Sequence, residues 1–440
     1  MTRVPFVFAV LCFGSVAWAQ PVVRDQSVSV PPDSSSTLDI RYVLDAEPAV
    51  VTVDILTNGV SIGDENFANV KGDVNCLVQP GSRKIEWKAY KSWPGHRIAD
   101  NAMTVVVRAW PTNRPPDYAV VDLDAPYAMH YYASLNALPD GGLTNHQVYC
   151  RSKLVMRKIP AGGVRFRMGG GSSKFDSIYP PLRWVSLSGD FYMSIYQMTY
   201  AQFNKMWDKT YTGGAYEPFE ECPVQNKITL EDFRGTANVD WPTAGHAASD
   251  SSFLGVWRDR TGLELDLPTE AQWEFAARGG TRTNLFFGNG LTADQQLEYG
   301  WFGWMSPYEK YYGTVTNAQT GAVTTNTSWK GAHPVGRLKP NPYGLYDVYG
   351  NTWDQCLDYF ANANDFFLND AHDGEFDPVG VADNTSYVNK PDYVGGRVLR
   401  GGSSGNSPND SSSAMRYTHA NTKANVGHAI RLVCPAVVTK

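Results

Sequence analysis

From Ser27 to Trp110 apolar residues recur at every second position, with no helical period between them. A period of two puts the apolar set on one face of each strand, so this part of the chain buries its hydrophobic surface by stacking sheets. Leu38, Ile40, Tyr42 and Leu44 mark one such face, and Val51, Val53 and Ile55 another. Ile85, Trp87 and Ala89, then Met103, Val105, Val107 and Ala109, repeat the scheme. Asn58-Gly59 supplies the positive-φ pair of a tight hairpin before Val60 and Ile62. The expectation is an all-β sandwich of immunoglobulin-like size over residues 20–112. PTNRPPDY, Pro111 to Tyr118, then reads as a stiff linker, because its prolines fix φ and remove donors. Residues 113–154 are assigned as a linker and bridging segment, in which AVVDL is strand-like.

The remainder, residues 155–437, carries three short helices in a background of loops and short strands. Thr199 and Gln202 form a capping box ahead of Phe203, Met206 and Trp207. A second helix begins near Asp250, buries Phe253, Val256 and Trp257, and stops at Gly262. Thr269 and Gln272 cap the third, Trp273, Ala276 and Ala277 point inward, and Gly279-Gly280 ends it. With 40 Gly and 27 Pro the chain is turn-rich, and the expected class for this part is α+β with sparse regular structure.

Residues 1–19 read as a signal peptide: Arg3, an apolar run from Val4 to Val16, and Ala17-Trp18-Ala19 as the cleavage site. The run is shorter than the roughly 20 residues that span a bilayer, so no membrane span is expected and the product is secreted or periplasmic. Formal charge is −6, which disfavours a phosphate-tracking surface, and nucleic acid is not expected as a partner. Five cysteines follow the signal, Cys76, Cys150, Cys222, Cys356 and Cys434, with no CxxC or HExxH spacing. Their pairing is not legible from sequence. Asp122 and Asp124 face outward together on an alternating strand and read as solvated. Trp273 and Trp353 read as core. GGGSSKF, Gly169 to Phe175, lacks the spacing of a phosphate loop.

Five segments together resemble the sulfatase-modifying factor family, to which the formylglycine-generating enzymes belong. They are IPAGGVRFRMGG (Ile159 to Gly170), FYMSIYQMTYAQF (Phe191 to Phe203), LPTEAQWEFAARGG (Leu267 to Gly280), NPYGLYDVYGNTWDQC (Asn341 to Cys356) and RVLRGGS (Arg397 to Ser403), with IRLV near the end. The resemblance implies a C-type-lectin-like fold from about Val155 to Pro435 and is silent on the first 115 residues. It also implies a copper(I)-binding cysteine pair shortly after the RGGS-like strand, which oxidises a substrate cysteine to formylglycine. Between Gly401 and Arg431 this chain has Ser404, Asn406, Ser411 and Ser413 and no cysteine. Hydroxyls do not replace thiolates as donors to a soft ion, so neither copper nor iron is expected and no catalytic residue is assigned. The family also pairs a cysteine near Cys434 with one in the second helix, where this chain has Leu254. Cys356 is open to two readings, a disulfide with Cys434 or a buried thiol.

The resemblance further implies a calcium site at Asp347, Gly350, Thr352 and Asp354, with Gly350 and Thr352 giving carbonyls. The alternative is that both aspartates cap local turns. The loop from Ser403 to Asn425 is the expected recognition surface, with Ser404, Asn406, Asn409, Arg416, Tyr417 and His419 as ligand-binding residues for an unknown protein or a polar or glycan ligand. Three functions compete: a non-catalytic binding module or pseudoenzyme, an active oxidoreductase acting on protein cysteine, and a structural or adhesive surface protein. The missing soft donors favour the first.

Overall fold

The structure, a computed structural model, describes residues 20–438 apart from 32–36, 97–101, 171–181, 208–209, 212–218, 226–228, 236–247, 304–314, 317–322, 325–330, 361–374, 379–395 and 420–427. The expected signal, residues 1–19, lies outside the described residues.

The alternating segment forms two stacked sheets. One runs in the order Val22–Ser29, Leu38–Asp45, Gly81–Trp87, Val70–Gly72, all antiparallel. The other is built on Ala49–Thr57, which pairs with Val60–Ser61, Leu77–Val78 and, along its whole length, Met103–Pro111. Ile40, Tyr42, Leu44, Val51, Val53, Ile55, Ile85 and Trp87 meet between them. Asn58 and Gly59 take φ of 52° and 79°, the left-handed pair that a two-residue hairpin requires.

Ala49–Thr57 is also buried on its second face. Val50, pointing away from the sandwich core, packs with Ala119, Val121 and Tyr131. Main-chain bonds from Tyr131 N to Asn75 O (2.7 Å) and from Val438 N to Thr112 O (2.8 Å) cross the same junction.

Residues 113–154 do more than link. Tyr118–Asp122 and Met129–Tyr132 are strands of a five-stranded sheet ordered Met129–Tyr132, Tyr118–Asp122, Lys153–Ile159, Phe191–Ser194, Val433–Pro435. Ala119 and Val121 face one apolar cluster and Val120 the other, so AVVDL is buried on both sides. Asp122 and Asp124 stand at its rim, the first 2.6 Å from Lys153 Nζ and the second paired with Lys205.

The helices match their sequence signals. Thr199 and Gln202 bond reciprocally at the start of Tyr200–Trp207. Phe253–Thr261 is capped by Ser252, two residues later than Asp250, and ends on left-handed Gly262. Val256 is only half-buried; Leu254 takes the inward place. Glu270–Arg278 has its full capping box and ends on left-handed Gly279. Against this last helix lies a four-stranded sheet ordered Arg416–His419, Arg397–Arg400, Trp353–Tyr359, His428–Ala429. A three-stranded sheet of Arg165–Met168, Arg183–Ser186 and Glu375–Phe376 completes an α+β architecture. Among the described residues no helix is long and apolar enough to cross a membrane.

Candidate functional site

The Glu270–Arg278 helix presents Glu270, Glu274 and Arg278 on one stripe, one turn apart, and all three are buried. They meet Arg400 and Arg416 from the facing sheet, also buried. Arg416 grips Glu270 through two bonds, at 2.5 and 2.9 Å. Arg400 bonds Glu274 and lies 3.3 Å from Glu270, and Arg278 reaches Glu274 at 2.7 Å. Burial alone would raise the Glu274 pKa, but Arg278, Arg400 and the Gly169 amide bring it below the ordinary carboxylate value. Asp358 behaves oppositely: burial and the neighbouring Glu270 charge lift it to about 7, although it accepts the Glu270 N–H at 2.6 Å.

The segment following Arg397–Arg400 turns on Gly401 and Gly402, with φ of 89° and 79°. A Cβ on Gly402 would fall 2.1 Å from Ser411 Oγ, so the backbone there approaches a neighbouring segment as only glycine permits. Asn406 Oδ1 accepts from Ser403 N and Oγ at 2.9 and 2.8 Å. Ser411 Oγ donates to Ser407 O at 3.0 Å, and Ser413 Oγ to Asn284 O at 3.0 Å while also meeting the Tyr349 hydroxyl. Hydroxyls and amide are thus committed to holding the loop.

Cys356 and Cys434 are not joined, so the expected Cys356–Cys434 disulfide does not form; Cys356 is a buried thiol. Burial pushes the Cys150 and Cys434 thiols up to about 12, Cys356 well above the usual value and Cys76 upward. Cys150 Sγ lies 3.3 Å from His146 Nδ1, but burial protonates the thiol and deprotonates the imidazole, the reverse of an activated pair. Among the described residues no three His, Cys, Asp or Glu side chains converge as a metal site.

The expected calcium positions lie together and buried, and the donors of Thr352 and Asp354 are engaged. Gln197 Nε2 donates to Thr352 O at 2.7 Å and to Asp354 Oδ1 at 2.9 Å. Trp273 Nε1 and Arg431 Nε occupy Asp354 Oδ2 at 2.9 and 3.0 Å. The remaining Arg431 donors fan onto the carbonyls of Ser194, Ile195 and Tyr346. Asp347 Oδ2 accepts the Gly336 N–H at 2.8 Å, and burial raises its pKa to about 6. Arg431, Trp273 and Gln197 engage Asp354 and the Thr352 carbonyl, while Asp347 Oδ1 is buried without a hydrogen-bond partner, so part of the set is closed to a divalent cation and part is open. The local-turn alternative accounts for neither aspartate: Asp347 takes the N–H of Gly336, 11 positions away in the chain, and Asp354 is held by long-range partners.

The expected recognition residues separate. Asn409 and Tyr417 reach the surface, Tyr417 being 36% exposed and stacked on Trp353 at 5.5 Å. Asn406 is half-buried in its own turn, and Ser404 is buried. Arg416 is enclosed with Glu270 and cannot meet a ligand, which corrects its assignment: an outward reading failed because its carboxylate partner lies 146 residues away. His419 ends the Arg416–His419 strand, and the loop beyond it, 420–427, lies outside the described residues. The Glu270/Glu274/Arg278 stripe escaped the sequence reading; its only local signal was three charges at a spacing of four.

Among curated proteins, the formylglycine-generating enzyme of Thermomonospora curvata is 33% identical over 182 residues, 40% of this chain and 50% of that protein. The inactive C-alpha-formylglycine-generating enzyme 2 of Bos taurus is 30% identical over 128 residues, 29% of this chain and 36% of that one. The chain spans about half the length of the curated relatives it matches first. Among solved structures, Treponema denticola variable protein 1 superposes with a TM-score of 0.43 at 22% identity, over 64% of this chain and 95% of its own. The family model described as the sulfatase-modifying factor enzyme 1-like domain matches residues 151–436, and on that match the chain belongs to the sulfatase-modifying factor family.

Proposed function

We propose that this is an exported, non-catalytic member of the family, a binding module that presents a rigid surface around Asn409 and Tyr417 to a protein or a polar or glycan ligand. One observation carries the reading. Where the family chemistry calls for two thiolates, Asn406, Ser411 and Ser413 spend their polar atoms bracing the loop. A soft ion finds no donor in such a set. Elsewhere the buried thiols are held in the protonated form, and a thiol is neither a copper ligand nor a nucleophile. The same bracing pre-organises the loop, which lowers the entropic cost of recognition.

The test is a copper(I) titration against a competing chelator, paired with a CxPxR peptide assayed by mass for conversion of cysteine to aldehyde. The expected result is no stoichiometric copper uptake and no loss of peptide cysteine. Aldehyde product, or one copper(I) per chain, overturns the proposal in favour of an active oxidoreductase.

A further inference from the structure

Met129–Tyr132 lies at the end of the five-stranded sheet and pairs with Tyr118–Asp122 on one side only, so its other side presents main-chain groups that need a partner. Asn75, from the sandwich, supplies one. Its N–H donates to Val51 O at 2.7 Å within the sandwich, and its carbonyl accepts the Tyr131 N–H at 2.7 Å across the junction. A φ of 57° turns the Asn75 backbone so that both bonds form, a conformation that asparagine tolerates better than most residues. Just beyond the edge strand, the Ser134 hydroxyl donates to the Asp64 carboxylate of the sandwich.

Apolar contact continues the same junction. Ala49–Thr57 sends Val51, Val53 and Ile55 into the sandwich core and Val50 the other way. Register sets Trp110 opposite Val50, and both belong with Leu77 to the apolar cluster of Ala119, Val121 and Tyr131. Trp110 Nε1 donates to Thr52 Oγ1 at 2.8 Å, which satisfies the polar atom of the indole. The chain that joins the two units is fixed as well. Pro115 and Pro116 are buried, and the carbonyls of Pro115, Pro116 and Asp117 accept from Lys158 Nζ, the Tyr192 hydroxyl and Lys158 N at 2.5, 2.6 and 2.8 Å.

We infer that the sandwich is a fixed cap over the Met129–Tyr132 edge and that it unfolds together with the C-terminal domain as one cooperative unit. Domains that move independently share few contacts and are joined by exposed, solvated linkers. Here one strand feeds two cores, so loss of either core removes a wall of the other. A sandwich held in this way does not swing as a detached adhesive arm, and the edge that would template strand addition by another chain stays closed. The inference does not rest on the function proposed above.

The experiment is hydrogen exchange of the full chain at increasing urea, read by mass spectrometry. The slowest amides of Gly81–Trp87 in the sandwich and of Glu270–Arg278 in the C-terminal domain should be released at one urea concentration, and the Tyr131 amide with them. Ile85→Ala removes side-chain volume from the sandwich core alone. It should speed exchange of the slowest amides in both segments by the same factor, at least about tenfold, because a cooperative unit shares one opening free energy. Val50→Asp buries a carboxylate in the junction and should split the single step into two; where that variant yields no folded protein, Ile85→Ala decides alone. Separate midpoints in the wild type, a response to Ile85→Ala confined to the sandwich, unprotected exchange of Tyr131, or wild-type unfolding of Val50→Asp each overturns the inference.

Discussion

Between the two sheets of the N-terminal sandwich lie Ile40, Leu44, Val51, Ile55, Ile85 and Trp87, an apolar set that needs no partner chemistry. At the centre of the C-terminal domain, the Glu270–Arg278 helix sets Glu270, Glu274 and Arg278 against Arg400 and Arg416, every one of them buried. The sandwich is stabilised by removing hydrocarbon from water, a force without direction and indifferent to pH. The charged layer is different: each ion has given up water, and only its partners offset that loss. Losing one methylene from the first core leaves a small void, while losing one carboxylate from the second strands two guanidiniums.

The largest effect that sharpens this contrast is at Glu274. Glu274→Leu leaves Arg278 and Arg400 buried without their shared carboxylate and should cost about 3–5 kcal/mol in urea unfolding. A cost under about 1 kcal/mol would mean that water reaches the layer and that the two cores do not differ in kind.

Asp358 comes next, and it separates the regions by pH. Its folded value of about 7 stands above its ordinary 3.8, so the native state keeps a proton that the unfolded chain releases. Stability should therefore fall as pH rises from about 4 to about 7 and level off above. Asp347, lifted to about 6, adds to the same slope. Asp358→Asn keeps an acceptor for the Glu270 N–H and cannot ionise. It should flatten the slope and gain more than about 1 kcal/mol at pH 8, the worth of one pKa unit. Unchanged pH dependence of the midpoint would assign the slope elsewhere.

In the sandwich, Ile85→Val should cost about 0.5–1.5 kcal/mol, the same at pH 5 and pH 8. A pH-dependent cost would break the comparison from the other side. The smallest expected effect is none: with Gln197, Trp273 and Arg431 holding Thr352 and Asp354, millimolar calcium or a chelator should leave the thermal midpoint in place. A rise with calcium, saturating at one ion per chain, would show that these donors open to admit it.

Much of the fold was legible because its signals are local. Alternation named the sandwich faces, Asn58-Gly59 named a hairpin, and Thr269 with Gln272 named a helix start. AVVDL was legible as strand-like but not as a central strand, since its neighbours Lys153–Ile159 and Met129–Tyr132 follow later in the chain. Of the expected recognition residues, Asn409 and Tyr417 stand at the surface, whereas Arg416 turned inward because Glu270 was there to receive it.

By itself the sequence determined which faces are apolar, where helices begin and end, and that no cysteine stands between Gly401 and Arg431. Those follow from side-chain period, capping chemistry and residue type, properties of a few adjacent positions. Only the tertiary structure decided which charges are buried and with whom, as with Glu274 and Arg400, 126 residues apart. A lone charge prefers water, so the local rule sends it outward; burial becomes favourable only once the distant partner has folded into place.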